Sequence, residues 1–418
     1  MSLLSQLSES LTGSEIVRLG NEIADRIRQG EKIYNYTIGD FDPDIFPIPQ
    51  LLEELIIDGY KKHYTNYPPG DGVLELRQAV VDFIGKREGI HYGTSEVLIA
   101  SGGRPLIYSV FKTIVDTGDK VIYAVPSWNN NHYTHMNHGR HCVVDALPEN
   151  NFMPTAADIK PHIEDATLIC LCTPQNPTGT TLNKETLEDI CDMVLEENAR
   201  RSPDAKKLYI MFDQMYWVLT YGSTKHFNPV SLRPEMKHYT IFVDGISKAF
   251  AATGVRVGWA LGPVKVIAKM KALLSHIGAW APMAEQKATA KFMANDEAVD
   301  TYLTQFKAAL EERLVTIYNG FKSLKEKGYP VDAVAPQAAI YLTIRIDLRG
   351  RTANGKFLET QNDVTSYLLD QAKLAIVPFY AFGADRQSPW YRLSVGTCSL
   401  SEIQEMFGKL EAALQKAS

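Results

Sequence analysis

Lys248 and Arg256 stand eight positions apart in Ser247-Lys248-Ala249-Phe250-Ala251-Ala252-Thr253-Gly254-Val255-Arg256-Val257-Gly258, across a loop that contains Gly254. A lysine amine is the side chain that condenses with an aldehyde cofactor, and a fixed guanidinium is the natural clamp for a phosphate. The pair points to pyridoxal phosphate, although alone it also fits a solvated lysine beside a surface ion pair. Three other constellations shift the reading. Cys172-Thr173-Pro174-Gln175-Asn176-Pro177-Thr178-Gly179 and Met211-Phe212-Asp213-Gln214-Met215-Tyr216 precede it, and Tyr391-Arg392-Leu393-Ser394 follows.

These residues need a scaffold that brings them together. Val97–Ala100, Lys120–Ala124, Leu168–Cys172, Leu208–Phe212 and Thr240–Val243 read as strands buried on both faces, the texture of a mostly parallel sheet covered by helices. Gly102 and Gly103 follow the first, Trp128 the second, Asn176 the third, Asp213 the fourth and Lys248 the last. Ligands of open α/β sheets collect at the carboxyl ends of strands, so the spacing predicts one crevice for all of them. After about residue 290 a helical stretch through Phe306–Arg313 leads to a strand-like run, Ala338–Ile344, with the α+β texture of a smaller second domain.

Four motifs in this order resemble the class I/II aminotransferases among the fold type I pyridoxal-phosphate enzymes, from Ile38 to the C-terminus. Gly245, Ala249-Phe250-Ala251 and Gly262-Pro263 are most similar to the bacterial aspartate/prephenate subgroup. The resemblance implies a large α/β domain, 49–290, with a mostly parallel seven-stranded sheet between helices. A smaller α+β domain would be built from both chain ends, 1–48 and 291–418. It also implies the roles. Lys248 would carry the cofactor and shuttle a proton, and Asp213 would keep the pyridine nitrogen protonated. Asn176 and Tyr216 would donate to the phenolic oxygen, and Trp128 would stack on the ring. Gly102 and Gly103 would place the phosphate at a helix N-terminus opposite Arg256. Arg392 would grip the substrate α-carboxylate, with the backbone of Gly39 closing over it and Asn176 beside it. Arg104 would read a distal carboxylate or supplement the phosphate site. Tyr67 would reach the phosphate of a second subunit, which makes the expected assembly a homodimer with shared sites.

The implied activity is a transaminase moving an amino group between an amino acid, aspartate-like, and a 2-oxo acid. The alternatives are an aromatic aminotransferase, or a lyase or decarboxylase on the same fold. A retained fold with a regulatory role is disfavoured by the intact lysine and aspartate. Composition agrees with an enzyme. The 418 residues exceed one core, 45% are apolar, and 43 basic against 49 acidic residues leave −6, with no basic run for nucleic acid or an anionic membrane. No membrane-length apolar span and no basic leader before Glu9 are seen, so a cytoplasmic protein is expected. The five cysteines show no CxxC pair and read as reduced, buried thiols. His132, His135, His138 and His141, spaced by threes, would spread around a helix, so they read as partly exposed helix and loop histidines and no metal site is expected. Two departures stand out. Gly245 replaces a phosphate-binding serine, costing one donor, and Gln214 replaces a common acidic residue, a change expected to matter little.

Overall fold

The computed structural model describes residues 3–417. Seven strands form the central sheet: β1 (Val97–Ala100), β2 (Lys120–Val125), β3 (Arg140–Asp145), β4 (Ala166–Cys172), β5 (Tyr209–Asp213), β6 (Thr240–Gly245) and β7 (Gly258–Leu261). Their spatial order is β1-β7-β6-β5-β4-β2-β3, and only β7 runs against its neighbours. The mostly parallel sheet is therefore present. Alternation along a strand sends successive side chains to opposite faces, each covered by helices. Leu98 and Ala100 pack with Leu106, Val110 and Phe111 on one face, while Val97 and Ile99 pack with Leu76, Val80 and Phe83 on the other. Each such side chain contributes roughly 1.5–3 kcal/mol by leaving water.

Two strands were not legible as such. β3 lies at the sheet edge and is mostly exposed, so its sequence carries no apolar run. β7 is four residues long, beginning with glycine. The helical run expected around residue 306 is part of the long helix Asp296–Glu326, whose N-cap Asn295 accepts from the Ala298 amide at 3.1 Å. Its buried stripe, Val299, Leu303, Phe306, Leu310, Leu314, Ile317, Phe321 and Leu324, recurs every three or four residues.

The second sheet holds β8 (Val331–Ala333), β9 (Tyr341–Ile346), β10 (Val377–Pro378) and β11 (Trp390–Ser394), antiparallel in the order β10-β11-β9-β8. Both chain ends contribute to this region. Tyr34–Asn35 pairs in parallel with Leu374–Ala375, and Ile23 of the helix Glu15–Arg28 is buried against Leu369 and Ala375. β11 thereby sets Arg392 opposite the carboxyl ends of β4, β5 and β6.

Candidate active site

A cavity of about 610 Å³ opens where the strand ends meet the second sheet, with Trp128, Asp213, Lys248, Arg256, Tyr341 and Arg392 in its wall. Near Lys248, glycines let three backbone segments meet. A Cβ on Gly245 would lie 2.8 Å from both Gly258 Cα and Val257 O, and one on Gly258 would lie 2.8 Å from Gly102 C. The three backbones can approach only without side chains. Gly245 is thus more than a lost hydroxyl: any larger residue, serine included, would separate β6 from β7.

Gly102 has φ +89°, and a Cβ there would sit 2.1 Å from Arg256 Nη2. Arg256 itself has φ +63°, and its guanidinium donates to Thr253 O at 2.6 Å and Ser101 O at 2.8 Å. These bonds aim it across the start of the helix Gly103–Ile114, which has no side-chain cap. Free first-turn N–H groups, the helix dipole and a fixed guanidinium together make an anion cradle.

The Lys248 amine donates to Gly39 O and lies 5.5 Å from the Phe41 ring. Burial, with Arg392, Arg104 and Arg256 adding to it against Asp40, pulls its pKa down to about 8. Asp213, at the end of β5, accepts from the Met215 amide at 3.1 Å, and burial pushes its carboxyl up to about 6. Among the described residues no lysine or arginine pairs with it, so a cationic ring nitrogen would meet a waiting carboxylate. Tyr216 and Tyr341 share a hydroxyl hydrogen bond of 2.8 Å.

Arg392 is buried between the rings of Tyr341 and Phe382, 4.7 and 5.0 Å away. It donates to Asn176 Oδ1 at 3.0 Å and Thr37 O at 2.6 Å, and its Nε has no partner. A buried cation held by neutral oxygens alone is suited to a ligand carboxylate. Arg104 is exposed at the cavity wall, its guanidinium 5.5 Å over the Trp128 ring.

The structure therefore gathers Gly39, Gly103, Arg104, Trp128, Asn176, Asp213, Tyr216, Lys248, Arg256 and Arg392 around one cavity, with Gly102 beneath Arg256. Tyr67 is not among them. It is 81% exposed and stands edge-on to Trp280 at 5.2 Å. Sequence reasoning missed Tyr341, Thr37 and Asp40 as wall residues. A Cβ on Gly39 would reach 2.8 Å from Tyr341 Oη, so Gly39-Asp40 was the available signal.

The histidines are partly or fully exposed: His132 and His135 lie on the helix Asn130–Met136, His138 in a turn with φ +53°, and His141 in the edge strand β3. One expectation needs correction. All five cysteines are unpaired, but Cys142 and Cys172 are partly exposed. Gln214 is wholly buried.

An anion cradle, a reactive lysine, an unpaired buried carboxylate and a buried arginine are the donor set that pyridoxal phosphate and an amino acid require. The family model for aminotransferase class I and II matches residues 31–410. Aspartate aminotransferase of Bacillus sp. (strain YM-2) is 29% identical over 412 residues, 98% of each chain. The probable aspartate/prephenate aminotransferase of Rickettsia felis is 28% identical, covering 99% of this chain and 97% of the relative. The solved aspartate aminotransferase from Thermus thermophilus with maleate superposes with TM-score 0.87 at 25% identity, over 99% of this chain and 100% of that one. The chain belongs to the class I and II aminotransferases and is a pyridoxal-phosphate-dependent transaminase.

Proposed function

We propose that the enzyme prefers an acidic amino donor, aspartate or glutamate, with a 2-oxo acid as acceptor in a ping-pong cycle. The observation that carries this is Arg104, a guanidinium open to the cavity with no carboxylate partner among the described residues, across from the buried Arg392. Two cations facing one space suit a dicarboxylate, and the maleate named with the Thermus relative is one.

In this reading Arg392 binds the α-carboxylate in a fork of two parallel bonds and Arg104 the distal one. Pyridoxal phosphate, when bound, supplies the electron sink for the substrate's α-carbon. Asp213 would face the ring nitrogen as a carboxylate. Tyr216 Oη and the Asn176 amide would donate to the phenolic oxygen, Trp128 would cover a ring face, and Gly102, Gly103 and Arg256 would hold the phosphate. Lys248 Nζ, with its lowered basicity, would take and hold the proton released from the substrate's α-carbon. Gly39 O, now bonded to that amine, is placed to orient it.

Tyr67, exposed outside the cavity of its own chain, supports a homodimer in which it completes a second subunit's phosphate site. The division at residues 48/49 and 290/291 and a cytoplasmic location complete the proposal, the latter supported by five unpaired cysteines. A panel of amino donors with 2-oxoglutarate tests the substrate class. Aspartate or glutamate leads, and Arg104→Leu lowers kcat/KM for it by about ten- to hundredfold, the worth of a charge-assisted pair of ~1.5–3 kcal/mol, while sparing phenylalanine. Equal losses for every donor would assign Arg104 to the cofactor, and a lead for phenylalanine would favour the aromatic class.

A further inference from the structure

Behind the turn that follows β5 lies a buried polar cluster that the reaction scheme leaves unused. Gln214 is fully buried, and its Nε2 donates to Glu88 Oε1 at 2.6 Å. Glu88 closes the helix Leu74–Glu88; its other oxygen accepts from Asn228 Nδ2 at 2.8 Å and lies 3.6 Å from His226 Nε2. Asp244, at the end of β6, accepts from its neighbour's Gly245 amide at 2.7 Å and from Trp217 Nε1 at 2.8 Å, and Gln214 lies against it as well. The cluster floors a second cavity, about 820 Å³, lined by Glu88, Trp217, His226 and Asn228 and not by Asp213 or Lys248.

Two features set this apart from ordinary core filling. First, it joins three segments: the helix end, the Asp213–Tyr216 turn, and the junction of β6 with the short helix Ile246–Ala249 that carries Lys248. The backbone reinforces the join, since the Gln214 amide donates to Val243 O and the Trp217 amide to Gln214 O. Second, two buried carboxyls meet with no lysine or arginine in ion-pair range among the described residues. Arg87, next to Glu88, is turned to Asp300 at 2.6 Å. Burial, then the charge of Asp244, pushes Glu88 up to about 8; burial pushes Asp244 up to about 7 and His226 down to about 3. Gln214 Oε1 is left without a partner, the acceptor that a protonated carboxyl would fill. An amide offers a donor to an ionised carboxyl and an acceptor to a protonated one, whereas an acid at this position would bring a third carboxyl.

We propose that Gln214 and Glu88 are positioning residues, tying the Asp213–Tyr216 turn to the end of the helix Leu74–Glu88 without adding charge behind Asp213. The proposal rests on the role read for Asp213. Wild-type holoenzyme and the variants Gln214→Leu, Gln214→Glu and Glu88→Gln test it, through release of pyridoxal phosphate on dilution, the split between kcat and KM, the pH profile of kcat/KM, and Tm. Gln214→Leu cuts the tie; it speeds cofactor release and lowers kcat about tenfold with KM little changed, because a displaced group loses its alignment. Gln214→Glu keeps the shape but adds a buried carboxyl, so the acid limb of the profile moves up by about one pH unit. Glu88→Gln keeps the acceptor for Gln214 Nε2 but turns a donor towards Asn228 Nδ2, so it loses activity by less than Gln214→Leu. Should Gln214→Leu lower only Tm, or Gln214→Glu leave the profile in place, or Glu88→Gln lose as much as Gln214→Leu, the bracing role is overturned. Wild-type protein that binds no pyridoxal phosphate would instead overturn the reading of Asp213.

Discussion

The Lys248 amine can be tested before any turnover. Burial and three arginines take its pKa from 10.5 to about 8, a difference worth about 3 kcal/mol at 1.36 kcal/mol per unit. At pH 7 about one amine in ten is then neutral and able to attack an aldehyde, against about one in three thousand for an ordinary lysine. Apoprotein is mixed with pyridoxal phosphate between pH 6 and pH 10, quenched with borohydride at intervals, digested, and the modified Lys248 peptide is quantified by mass spectrometry. The capture rate rises about tenfold per pH unit and levels off above about pH 8. Arg104→Leu removes one of the cations that depress the amine, so its plateau moves to higher pH. A wild-type rate that keeps climbing to pH 10 would show that the cavity does not activate the lysine, and label on another peptide would displace Lys248 altogether.

Gly102→Ala places a Cβ 2.1 Å from Arg256 Nη2 at a φ of +89°, where an L side chain is strained. The guanidinium must leave the helix start, so the dissociation constant for pyridoxal phosphate, read by quenching of tryptophan fluorescence, rises by tenfold or more, about 1.4 kcal/mol; an unchanged constant would remove Arg256 from the phosphate site. For the dimer, inactive Lys248→Ala and Tyr67→Ala chains are mixed after subunit exchange. Partial recovery of activity is expected, and a fully active monomer in light scattering would refute the shared site.

The parts of this molecule that were legible in sequence are those whose physics is local. β1, β4 and β6 are short β-branched and aliphatic runs because both faces are buried, and the site residues follow them directly. β3 escaped because an edge strand can be polar, and β7 because its glycine is required by contact with β6 and Gly102, a relation between distant segments. Gly245 illustrates the same limit. Compared position by position it is a missing hydroxyl, while in space it is a close approach of two backbones. The setting of Gln214 was not legible because its partner, Glu88, lies 126 positions away and belongs to no motif.

The charges of the cavity argue for a second substrate carboxylate independently of any relative. Asp40 already accepts from Thr253 Oγ1 at 2.6 Å and from its neighbour's Phe41 amide at 2.8 Å, so it is occupied within the chain. In the proposed reading Asp213 would answer the ring nitrogen, Arg256 the phosphate, and Arg392 the α-carboxylate. Among the described residues Arg104 has no carboxylate partner for its N–H groups, and its guanidinium lies 5.5 Å over the Trp128 ring. A donor with an apolar side chain would leave those groups to water, and closing the cavity over it would cost their hydration. A dicarboxylate replaces that water with a bidentate pair. The preference should therefore weaken as salt is raised if Arg104 stays at the solvent edge, and persist if the cavity closes over the pair.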